Sequence, residues 1–344
     1  MKIEEPLSYY NFHKNANGDL NKTKANNQFI YFQLLINCLL RMEDNEDEKN
    51  KLKILLQKEY ADNDDQLKII EEFQEKYSSE KIFEWYARSS FLNKILRKAL
   101  YTENISMMVL LHSFISDLHL GLKQNQSEDR LKVYRSLLLS NVELDKLKEN
   151  VGQLISINTC LLGNIDRKKV VADLNQFKTS NDIQRVLFEI DADSKVSTTK
   201  PFGLINPNDP SEVLFMAASI FAVNEIVAKD DQLCIVKMSL CTDEEYDSIF
   251  NSIQIKEENE QSNYRTFAKV LWKMGKSDLA NEYYNRLIDK LQANDPLLIL
   301  VYEDFGTMDL EKKKYDTGIT WYRKSIAIKN QNPDTTIEES GKSI

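Results

Sequence analysis

The chain has 344 residues, 42% of them apolar, which is enough for two or three units with substantial cores and too apolar for a largely disordered chain. Its 45 basic and 54 acidic residues give a formal net charge of −9, which excludes a duplex-binding surface spread over the whole molecule but leaves room for a small basic pocket. No apolar run reaches the ~18 to 20 residues of a membrane span, and Met1-Lys-Ile-Glu-Glu-Pro-Leu7 has no signal-peptide core. Cys38, Cys160, Cys234 and Cys241 lie in hydrophobic runs with no C-x-x-C pair, the pattern of buried reduced thiols. A cytoplasmic protein without nucleic-acid or membrane partners is expected.

Residues 1–26 are polar and are expected to be irregular. From Asn27 the period becomes helical: Phe29, Phe32, Leu34, Leu35, Leu39 and Leu40 share one face, until the acidic run from Glu43 to Glu48 breaks it. That run reads as a solvated loop rather than a metal site. Helices are expected over 48–60, 65–77, 81–100 and 107–122. Phe83, Trp85, Tyr86, Leu92, Ile95, Leu96 and Leu100 recur at helical spacing, so Trp85 and Tyr86 read as helix core. His112 and His119 lie seven residues apart without a third ligand nearby, so they read as ordinary histidines and no metal is expected.

The period then changes. Val133–Arg135, Gln153–Cys160, Arg185–Ile190, Glu212–Phe221 and Leu233–Leu240 are short runs rich in β-branched and aromatic residues, and Asn206-Pro-Asn-Asp-Pro210 is a turn by composition. Helices followed by a cluster of strands make an α+β pattern. Beyond Glu257 the helical period returns as a repeat. Tyr264, Phe267, Ala268, Ala280 and Tyr284 are answered by Tyr302, Phe305, Gly306, Gly318 and Tyr322 at a constant offset of 38 residues. Small residues at 268, 280, 306 and 318 would let paired helices approach, and Gly275-Lys-Ser277 would be the turn inside one pair. This resembles two tetratricopeptide-type hairpins, which implies a protein or peptide partner. The expected domains are an irregular 1–26, a unit over 27–250 (helical over 27–124, β-rich over 125–250), two hairpins over 258–333 and a disordered tail over 334–344. Gly341-Lys-Ser343 lacks the rest of a phosphate-loop motif.

Arg135 closes one strand run, and Glu212 opens another directly after Asp209, Pro210 and Ser211. A guanidinium on one strand and a carboxylate opening another suit a dinucleotide whose glycosidic bond is to be cleaved. Five blocks in order, Ala99-Leu-Tyr-Thr102, Val133-Tyr-Arg135, Val151-Gly-Gln-Leu-Ile-Ser-Ile-Asn158, Arg185-Val-Leu-Phe-Glu-Ile-Asp191 and Glu212-Val-Leu-Phe-Met216, resemble the arginine-specific mono-ADP-ribosyltransferases, the branch that shares its fold with certain bacterial toxins. The resemblance implies a mixed β-sheet core, NAD or NADP as substrate, and transfer of ADP-ribose to an arginine-bearing acceptor protein. It makes Glu212 the catalytic carboxylate and places Arg135, Ser136 and Asn164 at the dinucleotide.

Several positions depart from the family pattern. The Ser-Thr-Ser triplet falls on Leu162-Gly163-Asn164, so the serine that orients the glutamate is a leucine. The helper carboxylate two residues before Glu212 is Pro210, and Ser136 replaces a glycine. Asp209 is one residue off the helper position, a slip that turns a strand side chain to the opposite face unless a bulge intervenes. These losses leave two alternatives beside arginine transfer: an NAD glycohydrolase, or an inactive fold kept as a binding module.

Overall fold

The computed structural model describes residues 7–13, 24–88, 91–127, 129–177, 182–206, 209–229, 233–250 and 260–331. In chain order the first part runs β1 (Tyr9–Phe12), α1 (Lys24–Leu40), α2 (Glu46–Glu59), α3 (Asp64–Lys76), a 3-10 turn (Ser79–Lys81), α4 (Ile82–Ala87), α5 (Phe91–Tyr101), α6 (Ile105–Leu110) and α7 (His112–Gln124). The β-rich part follows with β2 (Leu131–Ser140), α8 (Asn141–Lys148), β3 (Leu154–Ile157), β4 (Leu161–Asn164), α9 (Arg167–Asn175), β5 (Ile183–Ala192), β6 (Phe202–Leu204), β7 (Glu212–Phe215), β8 (Ser219–Lys229), β9 (Leu233–Leu240) and α10 (Asp243–Phe250). The fold class is α+β.

Three expectations change at this level. The polar N-terminal stretch contains a strand, because Tyr9–Phe12 pairs with Leu154–Ile157 and buries Phe12 against Phe29. The acidic run is half helix. Asn45 accepts the Asp47 amide as an N-cap, and Glu46, Asp47 and Glu48 fill the first turn of α2, where carboxylates face the positive end of the helix dipole. Glu48 turns inward and pairs with buried His112 at 3.3 Å. The single helix expected over 81–100 is two: Trp85 and Tyr86 are buried in α4, and a separate α5 buries Phe91, Leu92, Ile95, Leu96, Ala99 and Leu100. The tail after residue 331, Gly341-Lys-Ser343 included, lies outside the described residues.

Among the described residues, nine strands join one sheet in the order β1-β3-β8-β9-β5-β2-β4-β7-β6. Only β5 and β9 run parallel among the pairs formed. Period-2 alternation assigns the faces. Val133, Val186, Phe188, Ile190, Val236 and Met238 pack on one side, while Leu187 and Ile235 pack with Val170 and Leu174 of α9 on the other. Two expected strands each break in the middle. After β3, residues Asn158–Cys160 carry the chain to β4 at a distant position in the sheet. After β7, the chain turns at Ala218, held at φ 63, and returns as β8 beside β3. Phe215 and Phe221 flank that turn, both fully buried and in edge contact at 5.4 Å. Burying each such ring contributes about 1.5–3 kcal/mol, ample to hold one left-handed alanine that costs roughly 1–3 kcal/mol.

The described residues divide into two units, one from Met1–Phe32 with Asp44–Ile249, the other from Gln33–Glu43 with Phe250–Ile344. The second unit therefore takes in part of α1. Its remaining helices are α11 (Glu260–Lys273), α12 (Ser277–Lys290), α13 (Leu297–Glu311) and α14 (Tyr315–Gln331). They form two helical hairpins, and Gly275, at φ 78, makes the expected turn of the first. Ala268 and Ala280 are fully buried, and a Cβ on Gly306 would lie 2.7 Å from the Tyr322 ring. The small residues thus permit the close packing that the repeat suggested. Arg265 grips Asp304 with two hydrogen bonds of 2.7 and 3.0 Å, and the Tyr284 hydroxyl donates to the same carboxylate at 3.2 Å. This shared carboxylate ties α11, α12 and α13 together. Among the described residues no helix is long and apolar enough to cross a membrane.

Candidate active site

Arg135 sits in the middle of β2, where one edge of the strand is fully paired and the other is not. On the β5 side all ten residues of β2 are in register, Arg135 opposite Phe188. On the β4 side pairing is confined to Tyr134 and Asn164. Gly163 makes that contact possible, since a Cβ there would lie 2.5 Å from Val133 and 3.1 Å from the Tyr134 carbonyl oxygen. Past this pinch the two strands are unpaired, and two cavities meet there with Arg135 and Leu162 in both walls.

The first cavity, about 650 Å³ and open to solvent, is walled by Tyr86, Asn93, Arg97, Tyr101, Arg135 and Cys160 among others. Asn93 and Arg97 lie four residues apart on α5, hence on one face, at the border of its buried stripe. The Asn93 amide donates to the Tyr86 carbonyl at 3.2 Å, while its own buried carbonyl oxygen has no partner among the described residues. Two guanidinium groups and an unpartnered acceptor make a site for an anion that also carries hydroxyl or amino groups. Cys160 is no nucleophile: burial pushes its thiol up to about 11, and its neighbour is the equally buried Tyr86 hydroxyl. Cys38, Cys234 and Cys241 are buried, as expected. His119 is half-buried, its imidazole held near 4 first by desolvation and then by Lys200. Among the described residues no three His, Cys, Asp or Glu side chains are placed to hold a metal ion.

The second cavity, about 500 Å³, is walled by Arg135, Ser136, Gly163, Asn164, Lys169 and Glu212. All four residues singled out from the sequence, Glu212, Arg135, Ser136 and Asn164, thus line one space. Glu212 begins β7 opposite Asn164, and its carboxylate accepts from the Asn206 amide at 3.1 Å. Asn164 itself is committed to its loop. Its amide donates to Ser211 Oγ at 2.8 Å, and its carbonyl oxygen accepts the Asp166 amide at 2.7 Å. It fixes the turn into α9 and the start of β7, and so sets Glu212 by position rather than by contact.

The departures from the family pattern also acquire positions. Leu162 stands opposite Leu214 and brings no hydroxyl to the cavities. Asp209 does not take the helper role. It accepts from the Ser211 amide at 3.1 Å and from the Ser211 hydroxyl, and it binds Lys169 at 2.7 Å. The Lys169 hydrogen bond is the first cause that draws its carboxyl down to about 2. Asn93, Arg97 and Lys169 were missed in the sequence. The signal for the first two was present, a polar pair at i and i+4 on an otherwise apolar helix.

No protein-family model and no curated protein matches the sequence. Solved structures do resemble the fold, all at low identity. Vis toxin, an ADP-ribosyltransferase from Vibrio splendidus, aligns at 14% identity and a TM-score of 0.37 over 60% of this chain and 91% of its own. The Clostridium limosum C3 exoenzyme gives 10% and 0.37 over 58% and 96%, and C3larvin toxin, an ADP-ribosyltransferase from Paenibacillus larvae, gives 12% and 0.34 over 49% and 98%. Likeness at this level leaves the reading of the site to its own residues.

Proposed function

We propose that this chain binds NAD, or NADP, at the two cavities and breaks the nicotinamide–ribose bond, as ADP-ribosyltransferases do. The observation that carries this reading is that Arg135 and Glu212, remote in sequence, wall one cavity, while Arg135 and Arg97 wall the cavity beside it. Paired guanidinium groups suit the oxygens of a pyrophosphate, which they can bind in bidentate fashion. Glu212 then lies where a ribose can present its hydroxyls. When nicotinamide departs, the electron pair of the N1–C1′ bond leaves with it and the ribose becomes oxocarbenium-like. A carboxylate beside that sugar stabilises the developing charge.

In the family that the sequence resembles, the acceptor is a protein arginine, and Vis toxin has been solved in complex with agmatine, a small guanidinium compound. We infer an acceptor protein of that kind as the ancestral partner, and a protein or peptide partner for the two helical hairpins read as tetratricopeptide-type. A second reading, a dinucleotide-binding module without turnover, is favoured by Leu162, which offers no oxygen to orient Glu212.

Calorimetric titration with NAD tests the binding half of the proposal. The intact chain is expected to bind NAD, with Arg135→Ala and Arg97→Ala each weakening affinity by roughly tenfold to a hundredfold, the range of hydrogen bonds to charged groups. Absence of NAD binding by the folded protein would contradict both readings.

A further inference from the structure

The second cavity contains a cation that bond cleavage does not require. Lys169 lies in the first turn of α9 within the basic run Arg167-Lys168-Lys169. That is the wrong sign for a helix N-terminus, where the dipole favours carboxylates. Each end of the run is offset from outside the helix: Arg167 binds Glu189 at 3.0 Å, and Lys169 binds Asp209 at 2.7 Å. Asp166 caps the turn through the amides of Lys168 and Lys169. Helix stability therefore gives no reason for a lysine at 169. Its position does: it shares the cavity with Glu212 and Asp173.

Resting on the NAD-cleaving reading, we propose that Lys169 determines which acceptor the site takes, by placing its ammonium in the cation position between Asp209 and Glu212 that an acceptor guanidinium would occupy. Water then captures the ribose, and the product is free ADP-ribose. The step balances as follows. The N1–C1′ bond breaks and its pair leaves on neutral nicotinamide, the water oxygen forms the new bond to C1′, and one proton is released to solvent. Lys169 does not compete for C1′, because the Asp209 hydrogen bond and then the Asp209, Glu212 and Asp173 charges favour its protonated form, which has no lone pair.

Lys169 and Asp209 are partly exposed, so solvent screens their pair and the expected effect on acceptor choice is modest, a factor of roughly five. The test gives the full chain NAD with agmatine and measures the ratio of ADP-ribosyl-agmatine to ADP-ribose. It also measures agmatine binding without NAD by chemical-shift titration. Lys169→Met is expected to raise both the ratio and the agmatine affinity roughly fivefold, while Lys169→Arg leaves both near wild type. Unchanged ratio and affinity in a folded Lys169→Met protein overturn the inference. If neither protein releases nicotinamide, the NAD-cleaving reading fails, and the agmatine titration still decides whether Lys169 fills a guanidinium position.

Discussion

Lys200 is buried, and desolvation lowers its ammonium from 10.5 to about 7. The folded state therefore holds fewer protons than the unfolded chain between about pH 7 and 10.5. By linkage, stability rises with pH across that window, and the full destabilisation is present below about 7. His119 acts in the same direction lower down, between about 4 and 6.5. Replacing Lys200 by Met removes the buried charge. The variant should melt above wild type, by most below pH 7, with the gap closing as pH approaches 10.5. Thermal melts at three pH values check this; a gap that widens with pH would show that the ammonium is stabilised where it lies. At the residue scale the site was partly legible. Arg135 and Glu212 could be picked out because each opens or closes a strand-like run. Lys169 could not, because a lysine in a basic helical turn looks like a solvated surface until Asp209 is seen against it.

At the scale of elements, the second hairpin depends on contacts too close for a Cβ. Alanine at Gly306 would gain about 1 kcal/mol of helix propensity, yet its methyl carbon would lie 2.7 Å from Tyr322, whose hydroxyl is also bonded to Thr307 at 2.9 Å. Overpacking of this kind costs typically 1–3 kcal/mol, so the clash should win. Gly306→Ala is expected to lower the urea midpoint of the second unit by an amount worth about 1 kcal/mol; a raised midpoint would mean that the Tyr322 ring moves freely. The 38-residue repeat exposed this packing in advance, since small residues recur where helices must touch. The sheet was harder to read. β9 lies where its β-branched run puts it and β5 extends two residues beyond its run at each end, but β2 continues through Ser140, past the Arg135 that closes the strand-like run, and the breaks between β3 and β4 and between β7 and β8 carry no proline or glycine. Ala218 takes the left-handed turn that a glycine would have signalled. α9 escaped notice because its basic first turn contradicts the usual helix start, and that contradiction is what points to a role for Lys169.

For the whole molecule, the α+β class followed from the order of helical and strand-like periods, whereas the cavities did not. They arise from long-range pairing: β4 meets β2 at one residue pair, and α5 places Asn93 and Arg97 in the wall beside Arg135. Neither can be inferred from local pattern, because each joins segments far apart in sequence. The central claim is that this shared wall holds a dinucleotide with its reacting ribose at Glu212. The most direct measurement is nicotinamide release from NAD by the purified full chain and by Glu212→Gln, an isosteric change that removes the charge. The account predicts release by the wild type and a loss on the order of a hundredfold or more in the variant, with NAD still bound. Equal turnover by the two proteins, or no release by a wild type that binds NAD, would contradict it.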